Sequence, residues 1–280
     1  MAIIPQFFSD AVVAIGINDQ NNEKKWIATG FIVVRKNEYG VYNAFLVTNK
    51  HVLKSRLTNV FLRFNISGKT DAKDLILDLK DGNGNDIFSV HPTADVGCIL
   101  LNSTVLNKTI GSVSAFVLDE HALTREQMIE HDVVEGTIVY MLGFPSGLVG
   151  VDSKIPLCRM GCVSKIKEPY GENGYLLDIQ NFPGSSGSPI INRIESNHLQ
   201  GTKHYNATRL VGIIAGYIPY MEELISKKTG KTMQVLQENS GIAVAYDVDS
   251  IKDTIESEYL RVKTLETKVE TDAIEAITEE

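Results

Sequence analysis

Cysteine is scarce. The chain has three, Cys98, Cys158 and Cys162, an odd number too small for a disulfide framework and consistent with a reducing compartment. No His or Cys pair at zinc-site spacing accompanies Cys158 and Cys162, so the expectation is structural thiols, with no metal and no cofactor. Long apolar runs are also missing. Stretches such as Ala11 to Ile17 and Val96 to Leu101 fall far short of the roughly 18 residues a membrane-spanning helix needs, so no membrane partner is expected. The net charge is −8 and no run of Lys and Arg interrupts it, which argues against nucleic acid as a partner. The segment Met1 to Gln6 has no basic region ahead of an apolar one, hence no secretory signal, and the expected location is cytoplasmic.

What is present is an ordinary globular composition. Of 280 residues, 43% are hydrophobic and 22% charged, enough for one large domain or two small ones and contrary to wholesale disorder. Short runs rich in Val, Ile, Phe and Tyr, bounded by Gly, Asn, Asp and Pro, dominate the chain. Six fill the first hundred residues: 11–17, 26–35, 42–49, 59–64, 74–79 and 96–101. Six more follow at 137–143, 158–165, 175–180, 188–192, 209–217 and 241–246. This spacing predicts an all-β protein of two β-domains rather than βαβ units.

Helix signals are few. Thr124-Arg125-Glu126-Gln127 has the form of a capping box and predicts a short helix to about His131, within a connection near 102–136. A second helix is expected after Asp247 or Asp249, with Val248, Ile251, Ile255 and Tyr259 on one face, packed on the second domain. The expected division is 1–118 for the first β-domain, 119–260 for the second with its closing helix, and 261–280 for an acidic, flexible tail.

Three segments carry candidate chemistry. In Phe182-Pro183-Gly184-Ser185-Ser186-Gly187-Ser188-Pro189, two glycines around a serine let successive N–H groups converge on an oxyanion beside a nucleophilic hydroxyl. A plain Gly/Ser turn is the alternative. Phe45-Leu46-Val47-Thr48-Asn49-Lys50-His51 ends an apolar strand near a histidine, and Ala94-Asp95-Val96-Gly97-Cys98 puts an aspartate just before another. Each alone reads equally as a packed histidine or a turn carboxylate.

Together, in the order His51, Asp95, Ser186, these segments resemble the chymotrypsin-like (trypsin-like) serine peptidases. Thr29-Gly30-Phe31-Ile32-Val33 is similar to the strand before that family's histidine. Gly143-Phe144-Pro145-Ser146-Gly147 is similar to the bacterial version of the strand opening the second barrel, and Leu210 to Gly216 to the strand lining the primary pocket. The resemblance covers about residues 10–260. It implies two six-stranded antiparallel β-barrels with a C-terminal helix, and a cleft in which Ser186 is the nucleophile, His51 the general base and Asp95 its orienting partner. It further implies Gly184 and Ser186 as oxyanion donors, Gln180, Asn181, Gly216 and Tyr217 at the substrate pocket, and a protein or peptide substrate.

The sequence departs from the family at two points. Ser185 stands where digestive members carry the aspartate that pairs with a new N-terminus, so that activation switch is absent and either constitutive competence or an activating protein partner is expected. The serine that supports the triad aspartate in many members falls at Ile214 or Ala215, which leaves Thr48 as a candidate donor to Asp95. No carboxylate falls at the pocket floor, so a small, apolar or uncharged polar side chain is expected next to the cleaved bond.

These departures also support a rival reading, a catalytically idle double barrel that binds peptides or partners. A phosphate-binding NTPase, suggested by Gly68-Lys69-Thr70 and Gly230-Lys231-Thr232, fails because Arg63 and Ile225 stand where each motif needs glycine. The bacterial high-temperature-requirement proteases append peptide-binding domains that do not fit in the residues after Leu260. Regulatory input is therefore expected through loops, self-association or another protein, at the polar stretches Asn192–Thr208 and Tyr220–Asn239, or else these are plain surface loops. His198 and His204 read as surface residues.

Overall fold

The computed structural model describes residues 4–55, 57–65, 71–150, 155–194 and 207–278, with side chains of the last helix described to Lys268. Helix α1 (Gln6–Ala11) leads into β1 (Val12–Asn18), β2 (Lys24–Lys36), β3 (Tyr42–Thr48), the single turn α2 (Lys50–Leu53), β4 (Asn59–Asn65), β5 (Ala72–Asp78), β6 (Ser89–Val90) and β7 (Gly97–Leu100). These strands form one sheet in the order β5-β4-β1-β2-β3-β7-β6, antiparallel at every step. Its two end strands do not pair directly. The segment between them folds back, with Ile87 N–H on the Leu79 carbonyl at 3.1 Å and a bridge between Lys80 and Asp86. The six long strands lie where the apolar runs put them, and two short ones are added, β6 and β8 (Phe116–Val117), which runs parallel to β2.

Between the β-units lie α3 (Ser103–Thr109), α4 (Leu118–His121) and α5 (Arg125–Glu130). The capping box forms as its sequence requires: Gln127 N–H donates to Thr124 Oγ1 at 3.3 Å and Thr124 N–H to Gln127 Oε1 at 2.9 Å. The second unit holds β9 (Ile138–Gly143), β10 (Leu157–Tyr170), β11 (Gly174–Asp178), β12 (Pro189–Asn192), β13 (Leu210–Ile225) and β14 (Thr232–Tyr246). They close as β10-β11-β14-β13-β12-β9. The fold is thus the all-β, chymotrypsin-like pair of barrels with a C-terminal helix, α6 (Val248–Thr278). Among the described residues, no helix is long and apolar enough to cross a membrane.

Alternation along the strands sorts the side chains into three apolar layers. Ile15, Ile32, Leu46, Leu62 and Phe64 fill the first barrel, and Met141, Ile166, Tyr175, Ile190 and Val211 the second. A third layer, with Phe31, Phe45, Val96, Phe144 and Ile213, lies between the barrels and holds them together. Each fully buried Phe or Ile contributes roughly 1.5–3 kcal/mol relative to exposure, so the middle layer fixes the barrels as firmly as each is fixed internally.

Helix α6 departs from expectation twice. Its apolar face, Val248, Ile251 and Ile255, enters the layer between the barrels, but its length runs back over the first barrel rather than the second. Glu258, 0% exposed, explains why. Its carboxylate accepts from Leu100 N–H at 3.0 Å, Ser89 Oγ at 2.9 Å and Arg261 Nε at 2.8 Å, occupying the edge of β7 beyond its short pairing with β6. The helix also continues past Leu260, where a flexible tail was expected. Arg261 donates to the Ile87 carbonyl at 2.8 Å, and Lys263 and Tyr259 both reach Glu38. The stretch Tyr220–Asn239, expected as loop, is instead a two-stranded ribbon made by the outer halves of β13 and β14. Most of Asn192–Thr208, including His198 and His204, lies outside the described residues.

Candidate active site

His51 sits in the one-turn helix α2, not on the strand that precedes it. The turn begins because Asn49 is extended (φ −77°, ψ 148°) and its carbonyl accepts Val52 N–H at 3.1 Å. Asp95 lies just before β7. The two meet doubly: His51 Nδ1 is 2.6 Å from Asp95 Oδ2, and His51 N–H donates to Asp95 Oδ1 at 3.0 Å. The carboxylate therefore holds the ring and its backbone at once and sets the ring face that points elsewhere. Half of the His51 side chain is open to solvent.

Two neighbours of His51, unremarked from sequence, clamp the Asp95 loop. Asn49, wholly buried, donates through Nδ2 to the Asp95 carbonyl at 2.7 Å. Lys50 Nζ donates to the carbonyls of His91 at 2.9 Å and Pro92 at 3.1 Å. His91 Nδ1 accepts Ala94 N–H at 2.9 Å, so it closes the same loop from inside. The proposed donor Thr48 does not serve Asp95. Its hydroxyl donates to the Thr29 carbonyl at 2.8 Å, facing the other way. The supporting role expected of a side chain is filled by the backbone N–H of His51. Tyr246, on β14, lies close enough that the Asp95 charge adds to burial in raising its phenol above the usual range.

Ser186 comes from the second barrel, in the loop between β11 and β12. Gly184 (φ +94°) and Gly187 (φ +86°) are left-handed, as the sequence pattern requires. A Cβ on Gly187 would stand 2.0 Å from the Thr29 carbonyl oxygen and 2.4 Å from Thr48 Oγ1, so the loop is pressed against the strands leading to His51. Thr29 stitches the barrels together here. Its N–H donates to the Ser186 carbonyl at 2.9 Å, and its hydroxyl donates to the Gly184 carbonyl at 2.8 Å while accepting Phe144 N–H at 3.0 Å. Among the described residues, the N–H groups of Gly184 and Ser186 donate to no acceptor. These two free donors stand on either side of Ser185, whose own N–H is taken, and free N–H groups of this kind are able to receive an anion.

Ser186 Oγ itself donates a long bond to the Ala215 carbonyl at 3.4 Å, and no bond to His51 is formed among the described residues. The structure thus brings His51 onto Asp95 and sets the Ser186 loop against the strands leading to His51, with the hydroxyl on the Ala215 carbonyl. Ser185 is fully buried, its hydroxyl unpartnered among the described residues, while its N–H donates to Phe182 O at 2.9 Å. Ile214 is packed inside the second barrel, so the supporting position is apolar.

Of the four expected pocket residues, Gly216 and Tyr217 lie on β13, and Gln180 and Asn181 follow β11. Gly216 and Tyr217 pair with Val244 and Ala243, and a Cβ on Gly216 would meet nothing within 4 Å, which marks open space in front of β13. Gln180 is exposed, and Asn181 is buried with its carbonyl accepting from Asn239 Nδ2 at 2.5 Å. Among the described residues, no cluster of His, Cys, Asp or Glu has the makings of a metal site.

Over residues 28–199, well over half of the 280-residue chain, the sequence matches the family model of the trypsin-like peptidase domain. The matched span includes His51, Asp95 and Ser186. No curated protein matches the chain in sequence.

Proposed function

Because the chain belongs to the trypsin-like peptidase family, we propose that it is a serine endopeptidase that works through a covalent acyl-enzyme. The observation that carries the proposal is the doubly anchored His51–Asp95 pair, with Nδ1 2.6 Å from the carboxylate, beside a serine loop with two free N–H groups. In this mechanism the Ser186 hydroxyl leaves the Ala215 carbonyl by rotation about its Cα–Cβ bond and gives its proton to His51 Nε2 as Oγ attacks the scissile carbonyl carbon. The carbonyl oxygen becomes an oxyanion received by the N–H groups of Gly184 and Ser186. Donors of this kind are each worth roughly 3–4 kcal/mol of transition-state stabilisation. His51 then protonates the departing amine, an ester on Ser186 remains, and a water deprotonated by His51 releases the acid. Asp95 holds the tautomer and stabilises the cation that forms on the ring.

The proposed substrate is a protein or peptide with a small, apolar or uncharged polar side chain before the cleaved bond, accommodated in the open space before Gly216, with Gln180 and Asn181 supplying no counter-charge for Lys or Arg. Cleavage profiling on a peptide library tests both parts. Activity abolished by Ser186→Ala and by His51→Ala, without an Arg/Lys preference, supports the proposal. A strict Arg/Lys preference overturns the pocket assignment. Cleavage that survives Ser186→Ala overturns the nucleophile.

One observation favours a second reading. The Ser186 hydroxyl rests on Ala215 O at 3.4 Å rather than on His51, the arrangement of an idle barrel pair that holds peptides in its cleft. Peptide binding without turnover, equal in wild type and Ser186→Ala, would select that reading.

A further inference from the structure

The segment after β9 touches both the serine loop and the first barrel. Phe144 to Gly147 form a tight turn packed on the serine loop, in which Ser146 N–H donates to the Pro183 carbonyl at 2.6 Å. Gly184 lies so close that a Cβ on it would stand 3.2 Å from the N atoms of both Ser146 and Gly147. The turn therefore forms the wall against which the Gly184 peptide rests. Ser146 is left-handed without being glycine (φ +54°). A residue stays in that conformation only where its surroundings over-determine it, so something must hold the segment on its far side.

That hold comes from the first barrel. Gly147 presses on Trp26, where a Cβ would stand 2.9 Å from the Trp26 carbonyl oxygen, and Val149 packs with Trp26 against the apolar layer between the barrels. Arg63, on β4, then takes the end of the segment: its Nη1 donates to the Gly150 carbonyl at 2.7 Å. Arg63 is itself fixed. Asp74, on β5, accepts from its Nε at 2.6 Å and its Nη2 at 2.9 Å, and the guanidinium carbon lies 4.6 Å from the centre of the Trp26 ring. A planar fork with one edge on a carboxylate, one face on an indole and a third nitrogen on a carbonyl has no freedom to swivel. It clasps residues 144–150 between the barrels.

We propose that Arg63 is a positioning residue for the Gly184 N–H, acting through the segment 144–150 on the proposed oxyanion donor. Its effect on turnover rests on the peptidase reading; its effect on the serine loop does not. Without the guanidinium, Gly150 loses its partner, the Ser146 turn is free to relax, and the wall that fixes the Gly184 peptide moves. An oxyanion donor works on the charge that develops in the transition state, so the loss falls on kcat and leaves KM nearly unchanged. Because Arg63 acts through Gly184, damage to Gly184 makes the loss of Arg63 redundant.

The test compares the full chain with Arg63→Ala, Gly184→Ala and the double variant, by hydrogen exchange read by mass spectrometry and by hydrolysis of a small peptide ester. In Arg63→Ala, exchange over 144–150 and 180–188 should quicken about tenfold or more while β9, β11 and β14 stay as in wild type. For the ester, kcat should fall about tenfold or more, part of the roughly 10²–10³ a whole donor carries, with KM within about twofold. The double variant should be within about twofold of Gly184→Ala. Arg63→Lys keeps a cation beside Asp74, guarding against a loss of fold in Arg63→Ala, and should show the same pattern because lysine lacks the fork. Unchanged exchange over 180–188 overturns the proposal, as does equal acceleration in β9, β11 and β14, which marks a merely structural residue. A double variant whose loss is the product of the single losses overturns the route through Gly184. A wild type inert to the ester overturns the peptidase reading instead, and exchange still decides whether Arg63 positions the loop.

Discussion

Replacing Gly184 with alanine sets a Cβ 2.5 Å from the Phe144 carbonyl oxygen and 3.2 Å from the N atoms of Ser146 and Gly147, at φ +94°. Real Cβ atoms do not approach backbone this closely, so one side must move. Phe144 cannot yield freely, because its ring is buried between the barrels and its N–H is held by Thr29 Oγ1 at 3.0 Å. The Gly184 side is tied as well, by the same hydroxyl on its carbonyl at 2.8 Å and by Ser146 N–H on Pro183 O at 2.6 Å. The left-handed backbone alone costs a residue with a side chain roughly 1–2 kcal/mol. Relief of the contact requires about half an ångström of movement, and the element that gives is the Gly184 peptide, whose N–H is a proposed oxyanion donor. Such donors act only within about 2.7–3.1 Å of the developing charge, and losing one costs roughly 3 kcal/mol, or 10²–10³ in kcat. Steady-state hydrolysis of a small peptide ester by Gly184→Ala should therefore show kcat down by that factor with KM changed far less, while thermal melting shows a folded protein. Full kcat in a folded variant would refute the assignment of this N–H.

Other changes probe other parts of the molecule. Gly216→Val fills the open space before β13, so kcat/KM should fall at least tenfold for substrates with a large side chain before the cleaved bond and hold for small ones; equal loss for both would dismiss Gly216 from the pocket. Glu258→Leu leaves Arg261 and the Leu100 N–H facing an apolar side chain, and breaking a buried pair of this kind costs about 3–5 kcal/mol, readable in urea unfolding; a loss under about 1 kcal/mol would show that α6 does not depend on it. Burial works to raise the Glu135 carboxyl, but the N–H groups of Ile166 and Lys167 donating to it hold its pKa at about 2, against an ordinary 4.5. A depressed carboxyl stabilises the fold above its unfolded value and ceases to do so as pH falls toward 2. Wild type should therefore lose more stability than Glu135→Gln between pH 6 and pH 3, and equal losses would refute the link.

The strands and the candidate site were legible because both rest on local signals. Apolar runs bounded by turn residues located the barrel strands, and Gly184 and Gly187 read as the glycines of a tight loop, where the structure has both at positive φ. Three features were hidden for a common reason, since each is set by distant partners. Thr48 lies near Asp95 in sequence logic, yet the Thr29 carbonyl takes its hydroxyl. Glu258 reads as a surface charge until β7 supplies an unpaired N–H and Arg261 a counter-ion one turn away. Asn49 and Lys50 look like capping and solvated residues until the His91–Asp95 loop folds beneath them. The ribbon had a visible signal in the alternation of Met233, Val235 and Gln237 after the turn residues around Gly230, but its charged positions masked strands that face no core.

The central claim is that Ser186 becomes a nucleophile activated by His51. Reaction of the purified chain with a fluorophosphonate, read by intact mass and peptide mapping, tests it most directly. The proposed triad predicts one adduct per chain, on Ser186, absent in Ser186→Ala and slowed at least a hundredfold in His51→Ala, in keeping with the roughly 10²–10⁴ that a general base contributes. A folded wild-type protein left unlabelled, or labelled equally well without His51, would contradict it.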